Sequence, residues 1–278
     1  MAATAHVAGQ ARQRGLPPAG RSGFGGAVRS EFTKIRSVRS TYWTLLALVV
    51  VTIGMGTLAC VGAVSRAGEV RGPGFDPTFR SLVGLIIGQL IIAVLGALTI
   101  TSEYSTGMIR TSLTVQPRRG TLFAAKALVF GVVSLVTGLV AAFASFFVGQ
   151  AILSGKHLNA SLSEPHVLRA VIGAGLFLAV SGLLAFGLGA LLRSTAAAIS
   201  VAIGLLFVVT ILVNFLPSSW QDHVDKWIPF NAGSQVWSTV TPPPGAHLLS
   251  AWTGFAVFAA YAAVAVAAGL LLFRTRDA

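Results

Sequence analysis

The residues able to do chemistry in this sequence are few, and most lie at the edges of long apolar runs. The five histidines (His6, His157, His166, His223 and His247) fall in loops or the N-terminal tail. No His, Cys and carboxylate cluster has metal-ligand spacing, so no metal is expected. The single cysteine, Cys60, lies inside an apolar stretch, can form no disulfide within the chain and reads as lipid-facing or core packing. A GxxxxGK[ST] phosphate loop is absent, so the chain is not expected to hydrolyse ATP itself. No acid, base and nucleophile can be assembled at depth in the apolar runs, which argues against an intramembrane enzyme. What remains is one polar connection, SEYSTGMIRTSL over 102–113 followed by TVQPRRGT over 114–121. Its chemistry is that of contact. Glu103 and Arg110 offer opposite charges, while Met108, Ile109 and Leu113 offer an apolar side. Ser102 can cap a short helix, Glu103 suits its positive end, and Pro117 stops it. Such a helix is a natural socket for a soluble partner, and a capped loop whose charges merely obey topology is the equal alternative.

The elements that hold this segment follow from composition. The 278 residues are 54% hydrophobic and only 10% charged, with a mean hydropathy of +0.79. A soluble domain carries about a quarter charged residues, so these charges could hardly cover a water-facing surface. A hydrocarbon core about 30 Å thick needs roughly 20 helical residues. Six segments qualify, at 42–64, 82–101, 127–150, 170–192, 196–216 and 250–273, and none contains Asp, Glu, Lys or Arg. One charge at mid-membrane costs about 2.5–3.5 kcal/mol on insertion scales. Barrel-type alternation is missing, and backbone groups in lipid must pair within the segment, so the spans are helices. The expected fold class is an all-α polytopic membrane protein of six transmembrane helices.

Charge sets the orientation. The net charge of +12 would point to nucleic acid on a soluble fold, but many of these residues flank apolar segments and face lipid headgroups instead. With six spans, 14 Lys and Arg fall on the side of the termini and six on the other. The positive-inside rule then places both termini in the cytoplasm. The first apolar run is too long for a signal-peptide core and reads as a retained span. Residues 1–27, rich in Ala, Gly, Arg and Pro, read as a disordered tail, 28–273 as the membrane domain and 274–278 as a short second tail.

Three further stretches carry expectations. Between Ala27 and Ser40, residues Val28, Phe32, Ile35, Val38 and Tyr42 share one helical arc, which predicts an amphipathic interfacial helix leading into span 1 rather than a simple basic anchor. Glu31 falls inside the apolar arc and interrupts it. In the long connection 217–249, Trp220, Val224, Trp227 and Ile228 share a face opposite Asp222, Asp225 and Lys226, and Trp237 and Trp252 follow. That pattern predicts a loop in the outer headgroup layer, with room to dip inward. Gly84, Gly88, Gly182, Gly187 and Gly189 mark close helix packing, and Gln89 near the middle of span 2 reads as interhelical hydrogen-bond glue or, less commonly, as part of a substrate path.

In the polar connection the sequence resembles permease subunits of ABC transporters of the type-2 exporter family. The matching residues are Glu103, Gly107, Arg110, Leu113, Pro117, Arg119 and Lys126, together with EFTKIR over 31–36 before span 1. The resemblance covers roughly 28–273 and implies a pair of six-span units, by a second copy or a paralogue, above two cytoplasmic ATP-binding-cassette ATPase subunits. It implies a coupling helix at 102–113, with Glu103, Tyr104, Gly107, Met108, Ile109 and Arg110 meeting the ATPase, beside a lead-in helix carrying Glu31, Lys34 and Arg36. It also implies that ATP and Mg bind the partner subunit and no cofactor binds this chain. The high Arg, Ala and Gly content hints at a GC-rich bacterial genome and hence a bacterial plasma membrane. The competing readings are an ATP-independent secondary transporter or channel, against which the lack of intramembrane ionisable groups stands, and a membrane scaffold or immunity protein.

Overall fold

The computed structural model describes residues 23–70, 72, 74–105, 119–239 and 248–275. The chain forms α1 (Phe24–Ser37), α2 (Arg39–Ser65), α3 (Ala67–Val70), α4 (Pro77–Leu82), α5 (Leu85–Ser105), α6 (Arg119–Ser154) and α7 (Val167–Leu192). It continues through α8 (Thr195–Val213), α9 (Ser218–Val224), α10 (Pro229–Ser234) and α11 (Ala251–Thr275). Six helical stretches are long and apolar enough to cross a membrane: α2, α4 with α5, α6, α7, α8 and α11. No strand occurs among the described residues.

The bundle is built around α7, 72% of whose most apolar stretch is buried, against 22% for α2, α8 and α11. It packs on α5, α6 and α11, while α2 packs on α6 and α5. Glycine makes these approaches possible. A Cβ at Gly96 would lie 2.3 Å from the carbonyl oxygen of Gly182, and one at Gly84 only 2.1 Å from that of Thr52. Gly187 meets the backbone of Ala265 and Val266 in the same way. In lipid, contact of this kind replaces the hydrophobic effect as the force holding helices together. Between the helices the side of α7 fills with aromatic rings, Phe177 against Phe230 and Phe258, and Phe186 against Phe123 and Phe130.

Two boundaries differ from the sequence expectation. The third span starts at Arg119 rather than 127, giving a helix of 36 residues, about 54 Å long at 1.5 Å per residue. Charge marks where a helix leaves lipid, not where it ends, and α6 carries Lys126 out on its protruding end. The lead-in helix does not run smoothly into the first span. Val38 is extended (φ −87°, ψ 109°), so α1 stops at Ser37 and α2 begins afresh at Arg39. We call the end of the bundle that carries α1 the basal end.

At the opposite end, the loop after α8 turns back into the bundle. Trp220, Trp227 and Trp252 are exposed as the interfacial reading expects, but Trp237 and Ile228 are buried. Trp237 stacks flat on Phe79, with centroids 4.9 Å apart. Its segment wedges between α7 and α11, where Gly233 faces Phe177 and Phe258. Asp76 ties the wedge down by accepting from the backbone N–H of both Phe79 and Thr239. The loop thus dips inward at Trp237, which sequence pattern alone cannot tell from a headgroup tryptophan.

The close α2–α5 approach yields a test. Gly84→Val should destabilise the folded protein by about 1–3 kcal/mol through overpacking, read as a lowered thermal midpoint in detergent. Gly54→Ala, at a site with nothing within 4 Å, should leave the midpoint unchanged.

Candidate functional site

At the basal end, four charged side chains from three helices meet. Glu31 comes from α1, Glu103 from the end of α5 and Lys126 from the early turns of α6, with Lys34 one turn along α1. The Lys126 ammonium donates to Glu31 Oε2 at 2.6 Å and to Glu103 Oε1 at 2.8 Å. Lys34 donates to Glu103 Oε1 at 3.0 Å and to Glu31 Oε1 at 3.2 Å. The result is a closed ring of alternating sign and zero net charge.

Burial separates this ring from an ordinary surface pair. Glu31, Glu103 and Lys126 are only 2%, 6% and 4% exposed, while Lys34 covers the ring's outer edge. An exposed pair is worth about 0–1 kcal/mol, whereas breaking a buried one leaves an uncompensated charge at about 3–5 kcal/mol. Burial alone would pull the Lys34 ammonium down, but Glu103 and Glu31 outweigh it and hold its pKa above the ordinary lysine value. Glu103 Oε2 has no hydrogen-bond partner among the described residues.

The same helix ends make a second set of contacts. The Arg193 guanidinium lies 5.0 Å from the centroid of the Tyr104 ring, and Thr195 donates to the hydroxyl of Thr101 at 2.8 Å. Arg193 caps α7 in the left-handed region (φ 52°), and Ser194 then opens α8 by accepting from the N–H of Ala197. The turn between α7 and α8 is thus seated on the end of α5. Arg274 of α11 packs over Gly120 at the start of α6.

Residues 106–118 connect α5 to α6. Gly107, Met108, Ile109 and Arg110, and with them most of the expected coupling helix, lie outside the described residues, as do residues 1–22 of the expected 1–27 tail, whose residues 24–27 instead open α1. Residues 102–105 belong to the end of α5 rather than to a separate helix capped at Ser102. Of the other sequence candidates, Glu103 turns inward to the ring, and Tyr104 faces Arg193. Arg36 is exposed on α1, two residues beyond Lys34. Gln89 is fully buried and donates only within its own helix, to the carbonyl of Ile86, so among the described residues it makes no interhelical bond.

The apolar arc on α1 also takes a different place. Phe32 stays exposed, as do Val38 and Tyr42, while Ala27, Glu31 and Lys34 form the inward stripe. Glu31 interrupts the arc because it belongs to that second, inward face. The role of Lys126 as the centre of the ring was not drawn from sequence. Its signal was there: a lone cation eight residues into a helix, with no nearby carboxylate in sequence, has to find its partner from another element.

The chain matches the family described as ABC-2 family transporter protein over residues 27–214. It belongs to that family. It is therefore a membrane permease component of an ABC transporter and a multi-pass membrane protein. No curated protein matches it. The matched region covers most of α1, the four ring residues, the α5–α6 connection and Arg193.

The ring's energetics can be checked directly. Lys126→Met should lower stability by about 3–5 kcal/mol by leaving two buried carboxylates to share Lys34 alone, measured by thermal unfolding in detergent. Adding Glu103→Gln to Lys126→Met should recover part of that loss, because one of the two carboxylate charges is then removed.

Proposed function

We propose that this permease is the membrane half of an ATP-driven exporter, coupled at its basal end to a separate ATP-binding-cassette ATPase subunit. The observation that carries the reading is the ring of Glu31, Lys34, Glu103 and Lys126, which ties the lead-in helix to the two helix ends that segment 106–118 joins in sequence. ATP and Mg bind the partner subunit. The basal end faces the cytoplasm, where the excess of Lys and Arg belongs. There α1 rests its exposed Phe24 and Phe32 on the headgroup layer.

In this reading the ATPase docks against 106–118, with Gly107, Met108, Ile109 and Arg110 forming the contact. Glu103 acts as a positioning residue. Its buried carboxylate holds the end of α5 to α1 and α6, so a push on the connection moves all three helices. Tyr104 passes the same push through Arg193 to the turn joining α7 and α8. The lipid-facing sides of α2, α8 and α11 leave room for a second copy or paralogue. Leu212 and Phe215 on α8 and the segment after it project well out of the single chain. The substrate path would form between the two units.

Tagged chain should be purified in detergent from its native membrane and the co-purifying proteins assayed for ATP hydrolysis. The expected result is a soluble subunit with a phosphate-loop motif. Glu103→Gln should keep that subunit bound while lowering ATP turnover of the reconstituted assembly about tenfold, within the usual range of coupling free energies. Recovery of the chain alone, without ATPase activity, would overturn the proposal in favour of an ATP-independent carrier.

A further inference from the structure

The break at Val38 leaves a feature that the coupling role does not use. Where α1 turns into α2, a cleft of about 320 Å³ opens at the surface of the bundle. Its walls are Phe32 and Ile35 of α1, Tyr42 and Leu45 of α2 and Val133 of α6, with Arg36 at the rim. This volume is at the lower end of the range of small-molecule sites, about 300–1,000 Å³. Its apolar walls suit hydrocarbon.

The charge around it is one-sided. Arg29 lies two turns before Arg36 on the same stripe of α1, and Arg39 opens α2 just past the break. All three are exposed. Between residues 23 and 66 the only acidic residue is Glu31, and it is consumed by the buried ring. The arginines face outward, and among the described residues no carboxylate forms an ion pair with them. Phe32, Tyr42 and Trp43, all at least half exposed, mark the same place as a membrane interface.

We infer that this elbow is a binding site for an anionic glycerophospholipid of the basal leaflet, with one acyl chain in the cleft and the phosphate against Arg36 and Arg39. Charge complementarity selects the headgroup, and the apolar walls hold the chain. A basic residue near an anionic surface is worth about 1 kcal/mol, so two of them distinguish an anionic from a zwitterionic lipid by more than tenfold. The site depends on the chain lying in a membrane but not on ATP coupling, so it can stand or fall separately from the exporter reading.

The test uses the full chain in detergent, exchanged into an equal mixture of phosphatidylglycerol and phosphatidylcholine and examined by native mass spectrometry. Wild type should retain phosphatidylglycerol more than tenfold over phosphatidylcholine. Arg36→Gln with Arg39→Gln, both at exposed positions, should abolish that preference without lowering the thermal midpoint. Leu45→Trp, which fills the cleft while keeping both arginines, should lower retention of phosphatidylglycerol at least fivefold. Equal retention of the two lipids by wild type would overturn the inference. So would a preference that survives the double arginine substitution, or retention untouched by Leu45→Trp, which would mark loose annular lipid. Loss of the bound lipid only during ATP turnover of the assembled transporter would mark a transported cargo instead, and would also overturn it.

Discussion

Everything at the basal end depends on one constraint: charge removed from water has to be neutralised in place. Three nearly buried ionisable groups, Glu31, Glu103 and Lys126, sit where a bundle of apolar helices meets the membrane surface. None is tolerable alone. Their pairing obliges α1, the end of α5 and the protruding end of α6 to stay together, and Lys34 seals the arrangement. A hydrophobic contact of similar size would hold these elements nearly as well. It would not fix their register, because apolar surfaces slide at little cost while an ion pair about 2.6–3.2 Å long does not.

From that block the rest of the molecule can be followed outward. Lys126 reaches the ring because α6 begins at Arg119 and so carries it on a helical end beyond the uncharged stretch. The base of α5 carries Tyr104 to Arg193, and so touches the turn that starts α8. Above the base, glycine-mediated contacts of α5 with α2 and α7 keep the spans close enough to move as a unit. At the far end, the Trp237 wedge closes the bundle between α7 and α11. The chain is thus cross-tied at both ends and held by close packing in between. Span α8 carries a π-helical stretch at Gly204–Val208 and, like α2 and α11, has much of its side left open.

Much of this was legible in the sequence, for physical reasons that also mark where legibility stopped. The six spans are visible because lipid excludes charge, a rule strong enough to read from one chain. Helix ends outside lipid are not governed by that rule, so the uncharged stretch from 127 does not show that α6 starts at Arg119. Gly84, Gly182, Gly187 and Gly189 showed that helices approach closely but not which pairs do. Glu103 was visible as a contact residue, yet its partners are 69 and 23 residues away along the chain, and single-sequence periodicity carries no information at that distance. Glu31 was the clearest missed signal: an acid inside an apolar arc is an acid that faces protein. Trp237 shows the converse, since a tryptophan in an outer loop reads as interfacial until the partly buried Phe79 is seen stacked on it.

The central claim is that the base moves as one block. Its most direct test is a distance measured between spin labels on α1 and on the base of α6, placed at the exposed positions Ser30 and Leu128, in the assembled transporter with and without a non-hydrolysable ATP analogue. The account requires a narrow distribution that stays unchanged when nucleotide binds and broadens in Lys126→Met. A shift of α1 away from α6 on nucleotide binding in the wild type would contradict it, and would show that the ring is a latch that opens rather than a joint that holds.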